Sequence, residues 1–194
     1  MQKSYHHGNL KEALIKAGVK IINKDGVENL SLRQAASMCE VSHNAPYSHF
    51  RNKEEYLREI KKFVEDEFSN ILLQTIEKNG INESIMIELA KAYVRFFNEN
   101  PSYFEFILGQ EDLDIQIGID YVNAEHFRPF QIFKEVSEKV LNHFGIPKEE
   151  QADHIVAMWI MVQGITVLTI MPGVTYKGDW EAYIEHTLKN IRLR

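Results

Sequence analysis

The sequence predicts an all-α protein of about nine helices, and three observations support this fold class. Apolar residues recur every three or four positions along most of the chain, which is the spacing of one face of a helix. No segment alternates apolar and polar residues for long enough to predict a strand. Turn-forming pairs such as Asn79–Gly80, Asn100–Pro101 and Pro172–Gly173 separate the periodic segments.

Capping boxes predict three helix starts in the first third of the chain. In such a box a Ser or Asn precedes the helix and a Glu or Gln follows three residues later, so that each side chain can accept a free backbone N–H. The pairs are Asn9 with Glu12, Ser31 with Gln34, and Asn52 with Glu55. The third box opens a long helix, which we expect to be the only covalent connection between an N-terminal and a C-terminal part.

The rest of the chain is expected to form further helices, and the span 109–128 is ambiguous. Their predicted ranges are 82–98, 101–108, 129–143, 149–171 and 179–192. The stretch 155–171 is apolar but interrupted by Gln163 and Gly164, and it is shorter than the roughly 18 apolar residues of a membrane span. A buried helix of a soluble protein is therefore the preferred interpretation.

Charge is divided unevenly along the chain. Residues 1–62 hold 11 Lys and Arg against 7 Asp and Glu, a net +4, whereas residues 63–194 have a net −10. A basic head on an acidic body suggests that the head meets a polyanion, although chance partition of surface charge remains an alternative. A lone cysteine, Cys39, and an N-terminus without an apolar stretch fit a cytoplasmic protein with no signal peptide.

Residues 30–49 have the pattern of a helix-turn-helix, in which one short helix braces a second that enters the major groove. Ala35 and Ala36 are small enough for the two helices to approach closely, and Val41 supplies an apolar plug at the turn. Ser42 is expected to cap the second helix and leave its backbone N–H groups free for a phosphate. The residues that follow are polar and mostly uncharged: His43, Asn44, Tyr47, Ser48 and His49.

This region resembles the TetR family of bacterial repressors. The resemblance covers about residues 5–65 and is carried by the run from Leu30 to Leu57, which ends in Tyr47, His49–Phe50, Lys53–Glu54 and Leu57. The start, Tyr5-His-His-Gly-Asn-Leu10, is similar to that of one subgroup. The resemblance implies a three-helix DNA-binding domain at 1–52 and a ligand-binding and dimerisation domain at 53–194.

The resemblance also implies roles for individual residues. Ser31 and Arg33 would reach the DNA backbone from the supporting helix. Tyr47, His49 and Lys53 would hold phosphates, while His43 and Asn44 would read bases. The alternatives are that Tyr47 is a core aromatic residue and that the two histidines are merely solvated.

The C-terminal part is expected to bind a small apolar or aromatic effector. Ten of the 21 aromatic residues lie between Tyr93 and Phe133, and apolar, aromatic walls are typical of pockets for organic molecules. The subgroup often has a Trp…His-Gly signature here, but Gln163 stands where histidine is usual. The candidate ligand-binding residues are Phe104, Tyr121, His126, Phe127, Phe130, Trp159 and Gln163, although aromatic residues at helical spacing are also typical of a core.

The last two helices predict a homodimer. Helix 149–171 is apolar on nearly all sides and helix 179–192 carries an apolar stripe, so two copies of each would form a four-helix interface. A monomer that buries both helices in its own core is the alternative. The expected function is a ligand-responsive repressor that binds a palindromic operator as a dimer and is released by a small molecule.

The sequence gives less support to other classes of function. The sequence has no nucleophile elbow, no phosphate-binding glycine loop and no paired histidines at metal-ligand spacing, so we predict no enzyme activity, no metal and no cofactor. A helical protein-interaction module and a regulator without small-molecule control remain alternatives. Salt dependence distinguishes the interaction module from a DNA-binding protein, because release of counterions from phosphates makes DNA affinity fall steeply as the salt concentration rises.

Overall fold

The computed structural model describes residues 10–109 and 127–190, and all regular structure within these ranges is helical. The predicted all-α class is confirmed. Two short 3-10 helices cover Val27–Asn29 and Ala45–Ser48. The eight α-helices of the described ranges are α1 (Leu10–Asp25), α2 (Leu32–Met38), α3 (Lys53–Asn79), α4 (Ile85–Glu99), α5 (Pro101–Leu108), α6 (Arg128–His143), α7 (Lys148–Ile170) and α8 (Trp180–Asn190).

In two of the three predicted capping boxes the side chain before the helix accepts the expected hydrogen bond. The Ser31 Oγ accepts a hydrogen bond from the Gln34 N–H at 3.1 Å, so α2 begins at the next residue. At α3 the Asn52 Oδ1 accepts from the Glu55 N–H at 2.8 Å, and the Glu55 carboxylate accepts from the N–H of Arg51 at 2.7 Å. The first box involves Asn9, which lies outside the described residues.

The chain divides into two compact units. The first holds the described residues up to Val64 together with Ser102–Gly109, and the second holds Glu65–Pro101 and the described residues from 127 onwards. The chain therefore passes between the units within α3, again between Pro101 and Ser102, and again after Gly109. The expectation that the long helix is the only covalent connection is wrong, because most of α5 belongs to the first unit. The predicted domain boundary between residues 52 and 53 stays a prediction.

The core of the first unit is built around Tyr56 of α3. Its ring packs on Phe50 at a centroid distance of 4.8 Å, and its hydroxyl donates a hydrogen bond to the Leu14 carbonyl of α1 at 2.5 Å. Burial raises the pKa of this hydroxyl, so it stays a protonated donor. The hydroxyl fits because α1 has Gly18 at the crossing point: a Cβ there would lie 2.5 Å from the Tyr56 oxygen.

In the second unit α4 packs against α6, α7 and α8, and α6 also packs against α7. The core between these helices is aromatic. Trp159 of α7 lies edge-on to Phe130 at 4.9 Å and to Tyr93 at 5.5 Å, while Phe68 of α3 stacks on Phe96 at 4.5 Å. Such pairs add to the stabilisation that burial alone supplies, so the second unit has a well-packed centre.

α7 is long and apolar enough to cross a membrane, judged by length and composition alone. A core helix of a soluble protein passes the same test, and α7 buries Ile155, Trp159 and Val162 within its own unit. Only 33% of its most apolar window is buried, however. A large apolar part of α7 is therefore left uncovered by the described residues of one chain.

Ion pairs join α8 to α4. Lys91 contacts Glu185 at 2.9 Å, Arg95 contacts Glu181, and Glu185 also pairs with Lys189 at 2.6 Å. Hydrogen bonds from Lys189 and Lys91, followed by the attraction of their charges, lower the pKa of Glu185 to about 2. The carboxylate therefore stays ionised across the physiological range, and it links one lysine on α4 with another on α8.

Candidate nucleic-acid interface and ligand cavity

The turn between the two short helices of the predicted helix-turn-helix is held by backbone contacts. Glu40 adopts a left-handed conformation with φ 56°, which reverses the chain after α2. The Val41 N–H then donates to the Ala36 carbonyl at 3.1 Å, so the turn is tied back to α2. Ala35 and Ala36 are fully buried, as expected of small residues at a close helix approach.

The second short helix differs from the prediction. It is a single 3-10 turn, Ala45–Ser48, called the 45–48 turn below. Ser42 does not cap it, because the residue before the turn is Asn44 and no side chain accepts a capping bond. The reason is Pro46, which has no N–H and cannot donate to the Ser42 carbonyl as an α-helix would require. Ala45 donates to that carbonyl instead, at 2.9 Å, and the turn tightens.

The 45–48 turn presents a polar surface. Tyr47 is 51% exposed, so in the isolated chain it is not a core aromatic residue. Asn44, Ser42 and His43 are exposed and His49 is half-buried. The His43 Nε2 lies 3.3 Å from the Ser37 Oγ of α2, and this contact holds the imidazole beside the supporting helix.

Residues on either side of the turn extend this surface. Arg33 of α2 is exposed, and Ser31 is exposed although its Oγ accepts the capping bond; its O–H remains a donor. Lys53 in the first turn of α3 is half-buried, and its Nζ donates to the Glu28 carbonyl at 3.4 Å. All eight predicted DNA-binding residues thus belong to the first unit, in α2, the 45–48 turn and the residues bordering them.

The second unit contains an inner pocket that is lined mainly by residues of α4 and α7. Its free volume is about 20 Å³, room for one water molecule. The walls are apolar except for the Tyr93 hydroxyl and the Trp159 indole. The lining residues are Leu72, Met86, Leu89, Ala90, Tyr93, Pro129, Phe133, Met158, Trp159, Met161, Val162 and Leu188.

Tyr93 is the one lining residue with a buried, unsatisfied hydroxyl. The side chain is 4% exposed, and its hydroxyl makes no hydrogen bond within the described part of the chain. Gln163 of α7 lies close enough to influence this hydroxyl, but not at hydrogen-bond geometry. Burial raises the pKa of Tyr93, an effect that Gln163 partly offsets, so the group remains a neutral donor. An unmade hydrogen bond of this kind costs about 1–3 kcal/mol.

A wider outer cleft of about 420 Å³ adjoins the inner pocket. Both cavities share Met86, Met158 and Leu188 as lining residues. The cleft has polar groups at its rim, from Glu83 and Ser84 before α4 and from Lys189 of α8. Its remaining lining residues are Ile87, Val140, Leu141 and Phe144.

The predicted ligand-binding residues are spread over the molecule. Trp159 lines the inner pocket and Gln163 is beside Tyr93, while Phe130 is buried against Trp159. Phe127 is buried at the start of α6, and Phe104 belongs to the first unit. Tyr121 and His126 lie outside the described residues. Within the described ranges no cluster of His, Cys, Asp and Glu could hold a metal ion.

Residues 14–60 match the family model of the bacterial regulatory proteins of the tetR family. The matched segment includes α2, the 45–48 turn and the start of α3, which are the elements that form the polar surface. Residues 14–60 are therefore similar to the bacterial regulatory proteins of the tetR family. The match covers about a quarter of the chain, and within it α2 and the 45–48 turn form a helix-turn-helix.

Solved structures share the fold of this chain over nearly its whole length. A protein of unknown function from Rhodococcus sp. RHA1 has 21% identity and a TM-score of 0.79, with 97% of this chain and 96% of that chain covered. The regulator FadR from Bacillus subtilis, in complex with stearoyl-CoA, has 16% identity and a TM-score of 0.63, covering 92% and 95%. A TetR variant from Acinetobacter baumannii AYE, in complex with minocycline, has 17% identity and a TM-score of 0.59, covering 92% and 91%. No curated protein sequence matches the chain significantly.

Sequence reasoning missed several residues of the cavities in this protein. Met86, Met158 and Leu188 line both cavities, and Tyr93 has the orphaned hydroxyl. Helical periodicity identifies them as inward-facing, but it does not show where packing leaves a gap. One usable signal was the methionine content, because three of the six methionines line the inner pocket and methionine is frequent where a surface must adapt.

Proposed function

We propose that this protein is a tetR-family repressor that binds a palindromic operator as a homodimer and is released from it by a small molecule. The observation that supports it best is the exposed polar surface of the helix-turn-helix, with Tyr47 half exposed beside Asn44 and His43. In this proposal the protein acts in the cytoplasm, where the operator lies.

Asn44 and His43 are proposed to read bases, and Tyr47, His49 and Lys53 to hold phosphates. An exposed amide and imidazole can donate to and accept from base edges without carrying a permanent charge into the groove. Lys53 is in the first turn of α3, where the helix dipole disfavours a cation unless an anion lies close by. Ser31, Arg33 and Ser42 border this surface and are proposed to contact the DNA backbone.

Two copies are proposed to associate through α7 and α8. The described residues of one chain leave a set of large apolar side chains exposed on these helices and the turn between them: Ile160, Leu168, Met171, Val174, Tyr176 and Tyr183. Ile160 is 64% exposed, which is unfavourable for a lone apolar side chain in water. A symmetric dimer would present two reading heads to half-sites about 34 Å apart, or a multiple of that spacing.

Release is proposed to follow ligand binding in the second unit. The inner pocket and outer cleft supply the site, and the chain that surrounds them continues through α3 and α5 into the first unit. A hundredfold loss of operator affinity needs roughly 2.7 kcal/mol of coupling between the two sites. The structural relatives with bound stearoyl-CoA or minocycline support ligand control of this fold in general, and they do not identify the ligand here.

The DNA-binding part is tested by fluorescence anisotropy with a labelled duplex from the region upstream of the protein's own gene. We expect Lys53→Gln to weaken binding and to reduce the salt slope by about 1, because one phosphate contact is lost. Lys62→Gln is the matched control, since Lys62 is an exposed lysine on the same helix and outside the proposed interface. Equal affinity and equal salt slope for the two variants would contradict the assignment of Lys53, and absence of DNA binding by the native protein at low salt would contradict the proposed function.

A further inference from the structure

We propose that Ser37 is a positioning residue for base recognition. Its hydroxyl keeps the proton of the neutral His43 imidazole on Nε2, so that Nδ1 is left to accept a hydrogen bond from an exocyclic amino group of adenine or cytosine. This inference rests on the proposed function, because it specifies which bases His43 reads in the operator. Its basis is a pair of hydrogen bonds that share the Ser37 oxygen.

The Ser37 oxygen lies between two partners. It is 3.1 Å from the carbonyl oxygen of Arg33, one turn earlier on α2, and 3.3 Å from the Nε2 of His43. A carbonyl oxygen can only accept, so the bond to Arg33 uses the single proton of the hydroxyl. Serine in a helix commonly donates to the carbonyl four residues earlier in this way. The hydroxyl therefore presents a lone pair to His43 and not a proton.

This arrangement determines which imidazole nitrogen carries the proton. A contact between an oxygen lone pair and Nε2 is favourable only if Nε2 carries the hydrogen. In a neutral imidazole the other nitrogen, Nδ1, is then an acceptor. The His43 side chain is exposed, and its Nδ1 makes no hydrogen bond within the described ranges. His43 thus has an acceptor available for a partner outside the chain.

The same contact fixes the direction of the imidazole ring. The two ring nitrogens lie on opposite sides of Cε1, so Nδ1 points away from Ser37 when Nε2 points towards it. The backbone at both ends is held as well, because the Val41 N–H donates to the Ala36 carbonyl of α2 at 3.1 Å. A ring that is already oriented loses little conformational freedom when it meets DNA. His43 is therefore preorganised as an acceptor.

An acceptor distinguishes between the bases in the major groove. Adenine and cytosine present amino groups there, N6 and N4, which donate hydrogen bonds. Guanine presents the acceptors N7 and O6, and thymine presents the acceptor O4. We therefore expect one position in each half-site to require adenine or cytosine on the strand that His43 faces. Guanine or thymine at this position should weaken binding about tenfold.

The position of the proton is tested without DNA, by proton–nitrogen correlation spectra of the full-length protein with ¹⁵N-labelled histidine. The His43 signals are identified by their absence from the spectrum of His43→Ala. At alkaline pH, where the ring is neutral, we expect a protonated Nε2 and an unprotonated Nδ1. In Ser37→Ala the two nitrogen signals should move towards each other, because both tautomers become populated. A proton on Nδ1 of the native protein would overturn the inference.

The effect on base recognition is tested by fluorescence anisotropy, with each base pair of the operator half-site replaced in turn. The position read by His43 is the one whose preference is lost in His43→Ala. Ser37→Ala should reduce the preference there from about tenfold to about threefold or less, because the ring can then present either nitrogen. The other positions and the salt slope should not change, since no phosphate contact is lost.

Two further variants separate this role from a merely structural one. Ser37→Thr keeps the hydroxyl and should retain the native base preference. Ser102→Ala is the matched control in the first unit, because its hydroxyl also donates to a backbone carbonyl, that of Asn23 at 3.4 Å, and it should behave like the native protein. If Ser37→Ala keeps the full preference, or weakens binding equally to every duplex, Ser37 does not act through His43 and the inference is overturned.

The result is separable from that of the proposed function. A native protein that binds its operator but prefers guanine or thymine at the His43 position would refute the role of Ser37 and leave the proposed repressor intact. A native protein that binds no duplex at low salt would refute both the repressor and the reading of bases by His43.

Discussion

At Gly18 the packing of the first unit leaves no room for even one additional carbon atom. A methyl group at this position would lie 2.5 Å from the Tyr56 oxygen and would also collide with the Ile60 side chain. Neither neighbour has free space, because both are fully buried. The hydrogen bond from Tyr56 to the Leu14 carbonyl depends on the same absence of a side chain.

We therefore expect Gly18→Ala to destabilise the protein by roughly 1–3 kcal/mol, the usual cost of overpacking, in spite of the better helix propensity of alanine. Urea denaturation followed by circular dichroism measures the change. Gly173→Ala is the control, since no atom lies within 4 Å of the added methyl group. If the two variants proved equally stable, α1 and α3 would not be closely packed at this crossing.

Residue-level prediction succeeded where chemistry is local. The boxes at Ser31 and Asn52 were predictable because a cap needs only one side chain and an N–H three residues away. The prediction that Ser42 caps the second helix was wrong. It used residue type alone and did not consider the hydrogen bond to the Ser42 carbonyl that Pro46 cannot donate. Tyr93 was beyond prediction, since an orphaned hydroxyl is a property of several packed helices.

At the scale of elements, α8 is held to α4 by charge as well as by packing. Glu185 is the shared partner of Lys91 and Lys189, and its pKa is lowered to about 2. A carboxyl whose pKa is lower in the folded state stabilises that state above its unfolded pKa of 4.5. This stabilisation is lost as the pH falls from there to about 2. Because the Glu185 side chain is 41% exposed, salt weakens the effect.

We expect Glu185→Gln to be less stable than the native protein at neutral pH and equally stable near pH 2. Denaturant titrations at a series of pH values and low ionic strength give the difference between the two curves. Glu77→Gln, on an exposed part of α3, is the control for removal of a carboxylate that makes no ion pair within the described ranges. A difference for Glu185→Gln that persisted unchanged at pH 2 would show that the pairs with lysine are not its source.

On the scale of the whole molecule, the uncovered apolar face of α7 predicts that two copies of the chain must associate. Ile160→Arg puts a charge into the proposed interface, and burying it there without a partner would be costly. We expect this variant to be monomeric in light scattering and to bind the operator duplex far more weakly, because a single reading head remains. Ile81→Arg, at an exposed position before α4, should stay dimeric. A monomeric native protein, or a dimeric Ile160→Arg variant, would contradict the proposed interface.

Some features of this architecture could be predicted from the sequence, and others could not. Helix positions followed from periodicity, and the motif at residues 30–57 indicated the family whose model matches residues 14–60. The placement of most of α5 in the first unit could not be predicted, since helical periodicity does not show which distant segments meet in space. Residues 102–109 lie in the first unit although more than thirty residues of the second unit precede them, 65–101.

The placement of α5 has a consequence for how the protein emerges from the ribosome. Tyr103, Phe106 and Ile107 are buried, and the segment Ser102–Gly109 that contains them belongs to the first unit. A nascent chain that ends at Val64 therefore lacks part of the core of that unit. The unit is complete only after some forty-five more residues, up to Gly109, have been added. Completion of the first unit is thus delayed until both α4 and α5 have been translated, and truncated fragments made to isolate this unit should extend through α5.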